Sequence, residues 1–249
     1  MSVVSLRLVL TLFALSFAAA GCSARMQLDP VLTAKAVEQP VKGTAWAAFR
    51  KPVTFAGYTA KVTKGGFQTN TSTSLGPYER QQSKQKFEYS LVGGTPASWT
   101  GACAYGQSSQ EVLFPISNDA GLVCTMRPES GGGWQLELKS QGKLYGPNSL
   151  SGSMTDGTTT LSIAMVHRLA NSAFQSTKPV GYEIRDAGGA AIAAVQIFNP
   201  QFVWIDPGLP AELQTAIAAA AAGLLVSAKS AEDINEKPEN GGSSFGSSR

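Results

Sequence analysis

Histidine is almost missing from this chain: His167 is the only one in 249 residues, and cysteine occurs three times, at Cys22, Cys103 and Cys124. A zinc site needs several closely spaced Cys, His or carboxylate ligands. Two cysteines and a distant His167 do not supply that spacing, so no metal is expected. A nucleophile with a histidine base needs a third group to orient the base, and nothing near His167 nominates one. Glu79, Glu88, Glu111 and Glu137 are scattered and form no distinctive acid and base pair. Gly131-Gly132-Gly133 is followed by neither a lysine nor a helix start, so it reads as a turn and not as a phosphate loop. Gly242-Ser243-Ser244-Phe245-Gly246 has the spacing of a nucleophile elbow, but it lies in a polar tail where no strand-to-helix turn is expected. Charged residues make up only 15% of the chain and the formal net charge is +3. Lys84-Gln85-Lys86 is too short to be a basic patch, so no nucleic-acid partner is expected. The chain therefore offers no catalytic residue and no cofactor site, and it is read as not an enzyme.

Glycine is frequent, with 26 residues, and Ser and Thr are abundant. Low charge with this composition suits an extracytoplasmic β-rich protein. The N-terminus has the layout of a secretory signal: Arg7, an apolar run over 8–17, then Ala18, Ala19, Ala20, Gly21 and Cys22. That run is shorter than the roughly 20 apolar residues a membrane-spanning helix needs. Ala19-Ala20-Gly21-Cys22 resembles the lipobox of bacterial lipoproteins, with Ala19 standing where that family prefers Leu, Val or Ile. The resemblance implies cleavage before Cys22 (residues 1–21 being removed), diacylation of its thiol and acylation of the new amine. Two or more acyl chains, at about 0.8 kcal/mol per buried methylene, hold a protein on a membrane essentially permanently. Ser23 does not match the Asp that retains such proteins at the inner membrane. The implied address is thus the inner leaflet of the outer membrane, facing the periplasm. An ordinary cleaved signal, leaving Cys22 as a free thiol, is the competing reading. With Cys22 committed to lipid, Cys103 and Cys124 remain as a pair. An oxidising periplasm favours a disulfide between them over two reduced buried thiols.

Residues 22–45 read as a lipidated tether, with a short helix around 30–38. Residues 46–228 read as one β-rich domain. Strands are expected at Val53-Thr54-Phe55, over 58–62, and over 84–92, where Phe87, Tyr89 and Leu91 alternate with Lys86, Glu88 and Ser90. A further strand alternates Trp134, Leu136 and Leu138 with polar neighbours. Residues 159–169 suit a central strand. Segments 180–185 and 190–198 flank Asp186-Ala187-Gly188-Gly189 as a hairpin, and 202–205 is a last strand. Turn signals at Gly65-Gly66, Gly93-Gly94, Asn118-Asp119, Gly131-Gly132-Gly133, Pro147-Asn148 and Asp156-Gly157 recur at the spacing of an all-β barrel or sandwich. After Pro207-Gly208-Leu209-Pro210, residues 211–228 predict a helix apolar on every side, which must be buried on every side. This stretch too is short for a membrane span. Residues 229–249 read as a disordered tail.

Gly181-Tyr182-Glu183-Ile184-Arg185-Asp186, the turn at Gly188-Gly189, the strand over 192–197 and the apolar helix together resemble the end of the tubby, phospholipid-scramblase and LURP-one group. The resemblance implies an antiparallel barrel of about twelve strands, closed without free edges, around a hydrophobic C-terminal helix. The basic residues with which tubby domains bind phosphoinositides have no counterpart that can be placed here, so that ligand is not implied. Trp46, Trp99, Trp134 and Trp204 suit a core better than a ligand pocket. The expected function is an anchored, non-enzymatic envelope domain that binds a lipid, glycan or protein. The alternatives are an envelope hydrolase built on His167, or a structural subunit of an envelope complex.

Overall fold

The computed structural model describes residues 24–43, 52–65, 69–75, 78–112, 114–140 and 149–235. The expected signal, the expected lipidation residue Cys22, Trp46 and residues 236–249 lie outside the described residues. Among the described residues there are thirteen strands: β1 (Gln39–Pro40), β2 (Val53–Phe55), β3 (Tyr58–Gly65), β4 (Thr69–Leu75), β5 (Tyr78–Val92), β6 (Ser98–Val112), β7 (Phe114–Pro128), β8 (Trp134–Ser140), β9 (Leu150–Thr155), β10 (Thr160–Val166), β11 (Gly181–Arg185), β12 (Ala191–Gln196) and β13 (Phe202–Ile205). Two described helices accompany them, α1 (Pro30–Lys35) and α2 (Ala211–Asn235).

The strands form one antiparallel sheet in the order β1-β13-β12-β11-β10-β9-β8-β7-β6-β5-β3-β2, with β4 continuing beside β5. The sheet curls until its edges meet. Val41 N–H donates to the Gln201 carbonyl at 3.0 Å beside β13, while Lys42 and Thr54 of β2 exchange two backbone hydrogen bonds of 2.8 and 2.9 Å. The architecture is therefore a nearly closed barrel, not a sandwich.

Helix α2 fills the bore. Ala216 to Ala222, Leu224 and Leu225 are all buried, against inward-facing Tyr89, Leu91, Met126, Leu136, Leu138, Ile163 and Ile184. Small side chains are required there, because the bore leaves room for little more than a bare helix. Gly223 marks the tightest point: a Cβ would stand 3.2 and 3.3 Å from the sulfurs of Cys103 and Cys124. Those cysteines face each other on β6 and β7 and are joined as a disulfide. Residues 211–228 are long and apolar enough by composition for a membrane span, against the expectation that they fall short. Burial inside the barrel accounts for that apolarity. The helix also continues to Asn235, so the first part of the expected tail, beyond 228, is helical.

Strand directions give the barrel two ends. At the end here called upper, β6 finishes and β5 begins. At the lower end lie the turns at Gly93-Gly94, Gly131-Gly132, Asp156-Gly157 and Gly188-Gly189. Helix α2 enters from below, where Thr95 N–H donates to Thr215 Oγ1 at 3.0 Å. Strands β5, β6 and β7 have 15 residues each, whereas β8 has 7 and β9 has 6. Their upper halves, with β4, outrun the barrel as a four-stranded extension. Asn118-Asp119, expected as a turn, lies inside β7 opposite Ser109 and Ser108. The extension is Ser-, Thr- and Gln-rich, without the apolar alternation that marks a half-buried strand. Strand β10 buries Leu161 and Ile163 but exposes Ser162 and Ala164. It lies between β9 and β11, as the central strand expected over 159–169 requires, and is buried on one face only.

The largest correction concerns the tether. Residues 24–42 are docked along the outside of β11, β12 and β13, and β1 completes the barrel. Met26 and Leu32 are buried with Val180, Ala191, Ala194, Phe202 and Trp204 in a second apolar cluster. Asp29 caps α1 by accepting from Val31 N–H at 2.9 Å, with Pro30 at the favoured first position. Arg185 pairs with Asp29 at 3.1 Å and with Glu183, and Lys35 pairs with Asp206 at 3.3 Å. Strand β12 is consequently covered inside by α2 and outside by this segment, which explains its unbroken burial. The fully buried Gln196 clamps the start of the segment. Its Oε1 accepts from Met26 N–H at 2.7 Å, and its Nε2 donates to the Ala24 and Pro200 carbonyls at 3.1 and 2.6 Å. Gln196→Leu strips Met26 N–H and these carbonyls of their partners, each at about 1–3 kcal/mol if they stay buried. Hydrogen exchange at Met26 and Gln27 is expected to rise at least tenfold while that of β8 is unchanged.

Candidate functional site

Among the described residues, helix α2 occupies the interior of the barrel. The void between β2, β3 and α2, lined by Val53, Phe55, Val62, Tyr89 and Leu225, measures about 10 Å³, no more than one water requires. The polar groups inside serve packing. Tyr89 Oη donates to the Ala219 carbonyl at 2.6 Å, and Thr215 and Ser227 donate to carbonyls of their own helix.

Burial pushes the Tyr105 phenol up to about 12. It raises Tyr89 likewise, and Tyr182 with a further contribution from Tyr105. In the unfolded chain these phenols ionise near 10.0. Above that pH the unfolded state releases protons that the folded state keeps, so stability falls as pH rises. The expected slope is about 1.4 kcal/mol per pH unit for each buried phenol. Urea midpoints should be level from pH 7 to 9 and drop steeply from pH 10 to 12. Tyr105→Phe should flatten that drop.

The residues singled out from sequence do not converge. His167 follows β10 at the upper end. Its ring nitrogens have no hydrogen-bond partner among the described residues, so no described carboxylate or hydroxyl orients it. Glu88 pairs with Lys64 at 3.0 Å and Glu137 with Lys139 at 2.8 Å. The side chains of Glu79 and Glu111 lie outside the described residues. Among the described residues no group of three His, Cys, Asp or Glu is placed to hold a metal. Gly131 and Gly132 form the β7–β8 turn with positive φ, at 95° and 77°. Trp99 is in the core, Trp134 is half-buried at the start of β8, and Trp204 lies under the N-terminal segment. The three described tryptophans therefore share no pocket.

The outer face of β3, β5, β6 and β7 carries a different feature. A shallow valley of about 440 Å³ is lined by Lys64, Lys86, Glu88, Ala102, Ala104, Val123 and Thr125, among others. It arises from the strand alternation. The inward positions of β6 and β7 hold Cys103, Tyr105, Leu122 and Cys124, which leaves small Ala102 and Ala104 and the exposed Val123 outside. Lys86 faces Ala104, and Glu88 faces both Ala102 and Lys64. Ala104 faces Val123, and Val123 faces Glu137 on β8. The result is a low apolar floor along β6 between two charged ridges, Lys64/Lys86/Glu88 and Glu137/Lys139. Such a surface can hold an extended chain through apolar contact and paired polar groups. Sequence reasoning missed it because its floor consists of alanines in a segment without strong strand signals.

No protein-family model matches this chain, and neither a curated protein nor a solved structure matches it.

Proposed function

We propose that this chain is a lipid-anchored protein of a bacterial cell envelope that works by binding, not by catalysis. In this reading acylated Cys22 sits in the inner leaflet of the outer membrane and the barrel faces the periplasm. The observation that carries the reading is Ala19-Ala20-Gly21-Cys22, ending two residues before the chain docks onto the barrel at Ala24. The Cys103–Cys124 disulfide supports it, because such bridges persist in oxidising compartments. A barrel wound round an apolar C-terminal helix supports a common architecture with the tubby, scramblase and LURP-one group, and no ligand is carried over from that group. With the bore filled, the ligand surface is the outer valley. Its apolar floor and charged ridges suit an elongated polar polymer, a glycan or peptide strand, better than a compact metabolite.

Intact mass spectrometry of the envelope-extracted protein tests the anchor: a diacylglyceryl and acyl mass on a chain beginning at Cys22 is expected. Cys22→Ala should move the protein from the membrane to the soluble fraction. Native mass spectrometry of the same preparation should show a non-covalent adduct that Val123→Lys removes. A clean mass in both would exclude the valley as the binding surface and favour a scaffold role.

A further inference from the structure

We propose that the upper rim between β10 and β13 is a membrane-docking face, on which Phe174 and Phe198 enter the interface of the same leaflet that holds the Cys22 anchor; this rests on the anchored reading above. Phe174 is 83% exposed and Phe198 40% exposed. One exposed apolar side chain is ordinary on a soluble surface; two exposed phenylalanines on connections joined by a backbone hydrogen bond, with cations beside them, have the composition of a membrane-interfacial surface. Phe174 lies on the β10–β11 connection, whose base is closed by Arg168 opposite Gln175. Ser172 holds it in a tight turn by donating to its carbonyl at 3.0 Å and accepting from its N–H at 3.1 Å. Phe198 lies on the β12–β13 connection, where its N–H donates to the Val180 carbonyl at 3.3 Å.

Both connections are bonded to the point where the chain leaves the barrel. Ala170 N–H donates to the Arg25 carbonyl at 2.8 Å and Gln27 N–H to the Arg168 carbonyl at 2.9 Å. Gln196, at the start of the other connection, holds Ala24. Cys22 is two residues further out, a reach of roughly 7 Å even when fully extended. A tether would leave this rim free to stand off the bilayer. Docking from Ala24 onward removes that freedom and brings both loops to the headgroup layer. Arg168 and Lys178, exposed on the same loop as Phe174, complement anionic headgroups. The extension rises at this same end. The turns at the lower end expose Glu129, Asp156 and Thr158, with no exposed aromatic among their described residues, although Val92 is exposed beside one of them.

The test uses the full chain, processed in a bacterial envelope, purified in detergent and reconstituted into vesicles of phosphatidylethanolamine and phosphatidylglycerol. Acylated Cys22 and the Cys103–Cys124 disulfide leave an introduced cysteine as the reactive thiol. Nitroxide labels are placed by Phe174→Cys, Phe198→Cys and, at the lower end, Thr158→Cys. Labels at 174 and 198 are expected to collide preferentially with oxygen, and the label at 158 with a polar nickel complex. A label at 174 as water-accessible as that at 158 would overturn the docking face. Intact mass of the same protein separates the two ideas, since a chain without acyl groups refutes the anchor alone. In that event the unacylated chain is sedimented with the vesicles. Phe174→Ser combined with Phe198→Ser should then weaken binding about tenfold for each phenylalanine. Unchanged sedimentation would refute the docking face.

Discussion

Leu224→Asp should leave no cooperatively folded protein. Leu224 is 0% exposed and lies on α2 inside the barrel. The substitution removes a full leucine from the core, which by itself costs about 2–5 kcal/mol. It also places a carboxylate beside Gly223 and Leu225, at the level of the disulfide, where water does not reach. An unpaired buried charge adds several kcal/mol or forces the group to stay protonated. The sum approaches the whole stability of an ordinary domain, about 5–15 kcal/mol. Circular dichroism on heating should show no sharp transition for Leu224→Asp and a lowered but sharp one for Leu224→Ala. Glu212→Ala, at an exposed position in the first turn of the same helix, should change little. An unaltered melting temperature for Leu224→Asp would be incompatible with a central helix.

The second large effect is expected at Gly101. Tyr89 on β5 stands directly opposite Gly101 on β6, and a methyl group at Gly101 would overlap the tyrosine ring. The ring lies where that side chain would be, and this position lets Tyr89 Oη reach the Ala219 carbonyl. Gly101→Ala therefore does more than crowd the core. It pushes a fully buried ring off its site and breaks the hydrogen bond that fixes α2 in the bore. Overpacking and an orphaned buried hydroxyl together should cost about 4 kcal/mol. Denaturant unfolding measures this directly. The paired change Gly101→Ala with Tyr89→Phe should cost less than the sum of the two single changes, because they share one contact. Simple additivity would show that the ring does not depend on the glycine.

Legibility of the fold followed local physics. Strands β8, β11, β12 and β13 and helix α2 were readable because one or both faces are buried, which writes an apolar period into the sequence. The upper halves of β5, β6 and β7 were not. They run beyond the core, so nothing forces alternation, and Gln107, Ser108, Asn118 and Asp119 look the same in a loop as in a paired strand. The docked segment was missed for a related reason. It contributes Met26 and Leu32 as buried side chains and Leu28 and Ala36 as partly buried ones, and its fixed position depends on Gln196, Glu183 and Arg185, which lie far away in sequence. The valley was invisible because alanine carries no chemical signal until its neighbours on adjacent strands are known.

The sequence alone determined the β-rich body, the Cys103 and Cys124 pair and a terminal helix that had to be buried on every side. These follow from composition, spacing and periodicity, which act within a few residues. The tertiary structure decided that the sheet closes into a nearly complete barrel, that the helix fills its bore, that residues 24–42 are docked on its outside with β1 in the wall, and that four strands form an extension beyond it. Those outcomes depend on register and packing between segments more than a hundred residues apart. No local pattern encodes such pairings, because a strand's hydrogen bonds are satisfied equally well by many partners until side-chain packing selects one.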